Sequence, residues 1–293
     1  LKEIENINLN SNGSWNFYEI GIENKDEMIN IFSRESPEIV INLAAQAGVR
    51  YSIENPNAYI QSNLLGFANV LECCRHNDIK NFIYASSSSV YGGNKKLPFN
   101  EHSSVDHPIS LYAATKKSNE LIAHSYSHLY GIPSTGLRFF TVYGPWGRPD
   151  MAPIIFAKSI VDKKPIKVFN YGFMERDFTY INDVVKGIIS CSYKPATINE
   201  DFNFLSPDPA TSFAPHRVFN IGNKSPIKLL KFIELIEENL GINAIKDLQP
   251  LQQGDVISTC AEMNELEQWI GYLPSTSIED GIKYFIDWFL DYY

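Results

Sequence analysis

Tyr112 and Lys116 stand four residues apart in the run SLYAATKKS, residues 110–118. On a helix, positions i and i+4 lie one above the other, so a phenol and an ammonium at this spacing meet the same small molecule. A phenol titrates near 10 and is a weak base at neutral pH. A cation one turn away favours the phenolate and makes the residue a candidate general base. Such a pair alone is common on surface helices, so its neighbours decide its weight. About 25 residues upstream, Ser86, Ser87, Ser88 and Ser89 offer hydroxyls that can share a substrate oxygen with the phenol.

A scaffold must bring these groups together, and the pattern from Phe17 onward indicates which one. Short apolar runs alternate with amphipathic stretches, the signature of a parallel sheet with crossover helices. Strands are expected at 17–22 (FYEIGI), 39–45 (IVINLAA), 81–88 (NFIYASSS) and 134–144 (STGLRFFTVYG), with helices near 25–36, 56–77 and 111–130. The ligand crevice of an open α/β sheet lies outside the carboxyl ends of its strands, where Ala44, Ala45, the serine run and Thr141 would converge. After Gly144 come Pro- and Gly-rich loops, short strands at 165–170 and 218–223 and two late helices, as in a smaller substrate domain. The expected division is 1–144 and 145–293, with some later segments returning to the first sheet. Residues 195–217, with four prolines and little periodicity, form an excursion loop. Ile282, Phe285, Ile286 and Phe289 form a helical stripe suited to core packing.

The 293 residues carry a net charge of -9, which argues against a nucleic-acid or anionic-membrane partner. Cys73, Cys74, Cys191 and Cys260 have neither metal-ligand nor disulfide-framework spacing and read as reduced cytoplasmic thiols. No apolar run is long enough to span a membrane. The chain opens at Leu1 with the polar segment LKEIENINLNSNGSW, so an N-terminal piece is expected to precede it.

The motifs NLAAQAGVR, YASSSSVYG, LYAATKKSNE, RFFTVYGPWGRPDM, KVFNYGFMERDFTYINDV, VFNIGN and QQGDV occur in an order that resembles the extended short-chain dehydrogenase/reductases acting on nucleotide sugars, within them the UDP-glucuronate 4-epimerases. The resemblance spans nearly the whole chain and implies a Rossmann-like doubly wound parallel sheet, a smaller C-terminal α/β domain, tightly held NAD, a UDP-sugar substrate and a homodimer. It makes Tyr112 the catalytic base, Lys116 its pKa-lowering and ribose-binding partner, and Ser87 the assisting hydroxyl. Leu43, Ala44, Ala45, Asn63, Ala85, Ser86 and Phe140, with Tyr112 and Lys116, resemble dinucleotide-lining positions. Arg50, Ser88, Ser89, Thr141, Arg148, Phe169, Arg176 and Asp255 resemble positions around the UDP-sugar, Phe169 on the uracil side and Arg176 at the diphosphate, a task suited to a bidentate guanidinium. No metal is implied.

One departure concerns the start. The glycine-rich turn on which this fold rests the cofactor pyrophosphate is absent from the sequence, and FYEIGIEN resembles the family's third strand. Either a β-α-β piece precedes Leu1, or the chain is a non-catalytic nucleotide-sugar-binding paralogue; the intact later positions favour the first. Where sugar dehydratases carry an Asp-Glu pair after the catalytic hydroxyl and decarboxylases keep the Glu, this chain has Ser88 and Ser89. An uncharged lining suits a substrate that brings its own carboxylate. The expected reaction is UDP-glucuronate to UDP-galacturonate epimerisation; UDP-glucuronate decarboxylation and 4-epimerisation of another UDP-hexose or N-acetylhexosamine are the alternatives.

Overall fold

The structure, a computed structural model, describes residue 4, residues 13–252 and residues 254–293. The opening polar segment apart from residue 4, and Gln253 of the QQGDV motif, lie outside the described residues.

Four strands form the central sheet: β1 (Ile39–Asn42), β2 (Asn81–Ser87), β3 (Ser134–Phe139) and β7 (His216–Ile221), in the order β1-β2-β3-β7 and parallel throughout. The runs NFIYASS and HRVFNI are buried nearly end to end, as central parallel strands must be. Helices Lys25–Glu35 and Phe67–Arg75 bury Met28, Phe32, Phe67 and Leu71 against Phe82 and Tyr84. The helix Leu111–Tyr130 starts where the Ser110 hydroxyl accepts from Ala113 N at 3.1 Å, and stops at Gly131, whose φ of 68° reverses the chain.

A second core gathers the remaining strands. β4 (Thr141–Tyr143) pairs parallel to β6 (Glu175–Tyr180), which pairs antiparallel to β8 (Pro226–Lys228), while β5 (Pro165–Val168) pairs with β9 (Ile245–Leu248). The helices Ala152–Val161, Leu229–Leu240 and Ile278–Tyr292 close over them. The C-terminal stripe Ile282, Phe285, Ile286 and Phe289 is buried in this core, as its spacing implies.

Several expected elements differ. Residues 17–22 are not a strand, because no described strand flanks them to take the ladder; the segment ends in a turn where Asn24 N donates to Gly21 O. The strand expected at 39–45 stops at Asn42, whose side-chain oxygen accepts from Ala44 N at 3.2 Å and turns the chain out of the sheet. The helix expected over 56–77 is a short α-helical segment at Pro56–Tyr59, a π-helical stretch at Ile60–Gly66 and an α-helix at Phe67–Arg75. The strand expected over 134–144 breaks at Phe140, whose N–H still bonds Ile221 O before the chain leaves the central sheet for the second one. Residues 195–215 are loop, held by side-chain turns at Asn199, Asn203 and Asp208.

Candidate active site

A cavity of about 520 Å³ opens at the carboxyl ends of β1, β2 and β3. Leu43, Ala45, Ala85, Ser86, Ser87, Ser88, Ser89, Tyr112, Lys116, Phe140, Thr141 and Arg148 all line it. A smaller cavity of about 200 Å³ shares Val49, Ser88, Ser89 and Thr141 with it and adds Arg176 and Asp255. The two adjoin along those shared residues, as a chamber around the Tyr-Lys pair and an arm that reaches Arg176. Among the described residues no Asp or Glu lines the chamber, whereas Lys116 and Arg148 do.

Tyr112 sits in the first turn of its helix. Burial raises the phenol above its ordinary range, while the Ser87 hydroxyl beside it and the Arg148 charge pull it back. Lys116 does not drive that balance, contrary to the expectation drawn from the spacing. It is buried, its Nζ donates to Ala85 O at 2.9 Å, and burial lowers the ammonium to about 8. Ser87 donates to the Ser89 hydroxyl and accepts from Ser89 N, both at 3.1 Å, so the run after β2 is a rigid turn rather than a frayed strand end.

Arg50 and Phe169 line neither cavity, but they meet beside the arm at Asp255, which does: Arg50 pairs with Asp255 at 3.1 Å and lies 4.8 Å from the Phe169 ring centre, so three residues far apart in sequence come together. Arg176 donates to Glu175 O at 2.8 Å and Ile257 O at 3.1 Å, which fixes its guanidinium toward the smaller cavity.

Asn63 does not face the chamber. It is buried, its side-chain oxygen accepts from Gln46 N at 2.8 Å, and its amide donates to Gln46 O and to Thr115, each at 3.0 Å. It braces the loop after β1 against the Tyr-Lys helix. Ala44 is also absent from the lining, its N–H turned back to Asn42. Three supporting residues escaped the sequence reading. Tyr59 donates to Gly48 O at 2.6 Å and meets Tyr112 edge-on with ring centres 6.1 Å apart. Glu120 takes two hydrogen bonds from Arg138 at 2.8 and 2.9 Å and one from Ser86 at 2.7 Å, which locks the helix to the end of β2. A charged residue inside the apolar strand STGLRFF signals a buried partner, and Glu120, one turn beyond Lys116, is that partner.

The model of the NAD dependent epimerase/dehydratase family matches residues 2–204. The chain belongs to that family. Among similar proteins, protein CapI of Staphylococcus aureus is 55% identical over 280 residues, 96% of this chain and 84% of its own. The probable UDP-glucuronate 4-epimerase of Rhizobium meliloti is 49% identical over 257 residues, covering 86% of this chain and 74% of its own. Among solved structures, the UDP-glucuronic acid 4-epimerase of Bacillus cereus, in complex with UDP-glucuronic acid and NAD, superposes with a TM-score of 0.85 at 31% identity, covering 100% of this chain and 86% of that one.

An epimerase/dehydratase needs NAD, and the chamber suits its nicotinamide-ribose half. Lys116 has three donor hydrogens and one partner among the described residues, leaving two for a hydroxyl-bearing ligand. Ala45, Ala47, Gly48 and Ala85 leave the wall open for a flat ring.

Proposed function

We propose that this protein is a nucleotide-sugar 4-epimerase interconverting UDP-glucuronate and UDP-galacturonate. The observation that carries the reading is the chamber's charge: hydroxyls and two cations, with no carboxylate among the described residues. A neutral hexose makes no use of Arg148, whereas a uronate answers it with a charge-assisted contact.

On this reading the sugar lies with its 4-hydroxyl between Tyr112 and Ser87, and its diphosphate extends toward Arg176. Tyr112 takes the proton from O4 as the C4–H bond breaks, and the Ser87 hydroxyl, turned from Ser89 toward the sugar, donates to the same oxygen to hold it in line. NAD, when bound in the chamber, would supply the hydride acceptor for C4 and the source of its return. Lys116 holds the cofactor ribose, while Ala85 O keeps its ammonium in place. Once the 4-keto sugar has turned over, Tyr112 gives the proton back to O4 and the opposite stereochemistry results.

The ketone makes the uronate a β-keto acid, which loses CO2 when the carboxylate bond aligns with the carbonyl and the charge can be shed. Arg148, Thr141 and Ser89 keep that carboxylate charged and out of alignment. Phe169 and Arg50 flank the uracil side, and Asp255 orients Arg50. The domain division at Gly144 and a cytoplasmic location belong to the same reading. So does a homodimer formed through the helices at 56–77 and 111–130, which leave Leu65, Leu121 and Leu129 exposed.

NMR of the nucleotide sugars tests it. The enzyme loaded with NAD should turn UDP-glucuronate into UDP-galacturonate and leave UDP-glucose nearly untouched. Preferential turnover of UDP-glucose, or a UDP-pentose as main product, would contradict the assignment.

A further inference from the structure

The loop that carries Arg148 is held by the far end of the chain. Between β4 and the helix Ala152–Val161, Gly147 N donates to Gly144 O at 3.3 Å and Met151 N to Arg148 O at 3.1 Å. Two residues there lie in the left-handed region, Gly144 at φ 136° and Trp146 at φ 61°. Glycine adopts such angles freely, but a bulky side chain does so only when its surroundings hold it there. Burial is not what holds Trp146, since the residue is 58% exposed.

The indole rests instead on the C-terminal helix. Its ring centre lies 5.5 Å from Trp288 and 4.9 Å from Tyr292, the latter edge-on. Trp288 and Tyr292 occupy positions i and i+4 and stack on each other at 5.3 Å. The same helix buries Phe285 and Phe289 in the second core, which makes this aromatic pair a fixed platform. Arg148 has no comparable anchor. Its polar partners among the described residues are Asp150 at 3.2 Å and the Met151 sulfur at 3.4 Å, both in its own loop.

We infer that Trp288 and Tyr292 are positioning residues for the substrate's charged group: they hold Trp146 in its strained conformation and thereby set where Arg148, two residues on, presents its guanidinium. This rests on the reading of Arg148 as the partner of the sugar carboxylate. The clamp ties substrate selectivity to a helix that touches no substrate.

The test uses Tyr292→Ala, Tyr292→Phe and Trp146→Gly in the NAD-loaded enzyme. Tyr292 is an exposed residue in the last helical turn, so its loss leaves the core intact, and glycine at 146 keeps the backbone angle while removing the indole. Tyr292→Ala and Trp146→Gly should raise the KM for UDP-glucuronate about three- to tenfold with a smaller change in kcat, as loss of an aromatic pair warrants. Tyr292→Phe, which keeps the ring edge, should restore the wild-type KM. Amide exchange at Gly147 and Met151 should quicken severalfold in Tyr292→Ala and not in Tyr292→Phe. In an Arg148→Ala background, Tyr292→Ala should add nothing, because both act through one contact. Unchanged KM and exchange in the two disruptive variants, or an additive effect with Arg148→Ala, would overturn the inference. If exchange quickens as expected while Arg148→Ala weakens UDP-glucuronate and UDP-glucose alike, the clamp stands and the carboxylate assignment falls.

Discussion

Lys116 donates from Nζ to the carbonyl oxygen of Ala85 at 2.9 Å, so the ammonium of the Tyr-Lys pair is tied to the end of β2 and not to Tyr112. The phenol and the ammonium share a helix face, but they meet different parts of the strand end: Tyr112 lies beside Ser87, and Lys116 bonds Ala85 O. The helix delivers both because Glu120, on the same helix, is bound to Ser86 and Arg138 beneath them.

The buried ammonium carries a stability cost with a defined pH window. Burial lowers Lys116 from 10.5 to about 8, so the folded state binds fewer protons than the unfolded chain between those values. Stability therefore rises with pH across that window, and the penalty is fully present below it. Lys116→Met should remove a penalty of roughly 3 kcal/mol at pH 7, partly offset by about 1 kcal/mol for the unpaired Ala85 carbonyl. Urea denaturation at pH 7 and pH 10 should show the variant more stable at the lower pH, with the difference shrinking at the higher. A variant less stable at pH 7 would mean that the amine is better solvated than its surroundings imply.

Glu120 behaves in the opposite sense. Burial alone would raise its carboxyl, but the Arg138 charge and hydrogen bonds outweigh it and hold the group at about 2. The pair's contribution is present above the ordinary carboxylate pKa of 4.5 and is lost as pH falls from there toward 2. Glu120→Gln leaves Arg138, already buried with Nη1 unpartnered, without its counter-charge. A loss of about 3–5 kcal/mol is expected at pH 7, measured by chemical denaturation. The gap should narrow in acid; a loss under about 1 kcal/mol would mean that the pair is not what joins helix to sheet.

These two buried charges mark the boundary of what the sequence discloses. The convergence of strand ends at Ala45, the serine run and Thr141 was legible because period and turn chemistry are local properties. The same holds for the C-terminal stripe at Ile282 and Phe285. Residues 17–22 look like a strand in isolation, but a strand exists only through a neighbour's ladder, which no local pattern reports. Asn63 resembled a dinucleotide contact, yet its three side-chain hydrogen bonds go to Gln46 and Thr115. The Trp146 contact with Tyr292 spans 146 residues and leaves no periodic trace.

On the proposed reading, Tyr112→Phe removes the proton carrier and little else. Turnover should fall by about 10²-fold or more, the usual worth of a general base, while the Kd for UDP-glucuronate stays within a few fold. Steady-state kinetics with calorimetric titration separates the two. More than about a tenth of wild-type turnover would place the base elsewhere.

Arg148→Ala should weaken UDP-glucuronate binding and divert part of the 4-keto sugar to a UDP-pentose with release of CO2. Loss of a charge-assisted contact is worth roughly 1.5–3 kcal/mol, about ten- to a hundredfold in affinity. Product NMR and CO2 trapping give the readout. Equal losses on UDP-glucuronate and UDP-glucose, with no pentose formed, would make Arg148 a loop-packing residue.

The most direct test of the central claim follows the hydrogen at C4. UDP-glucuronate deuterated at C4, incubated with the NAD-loaded enzyme in ordinary water, should give UDP-galacturonate with the deuterium still at C4, because the chamber returns the same hydride to the opposite face of the same sugar. UDP-galacturonate carrying protium at C4, or no UDP-galacturonate at all, would contradict the account.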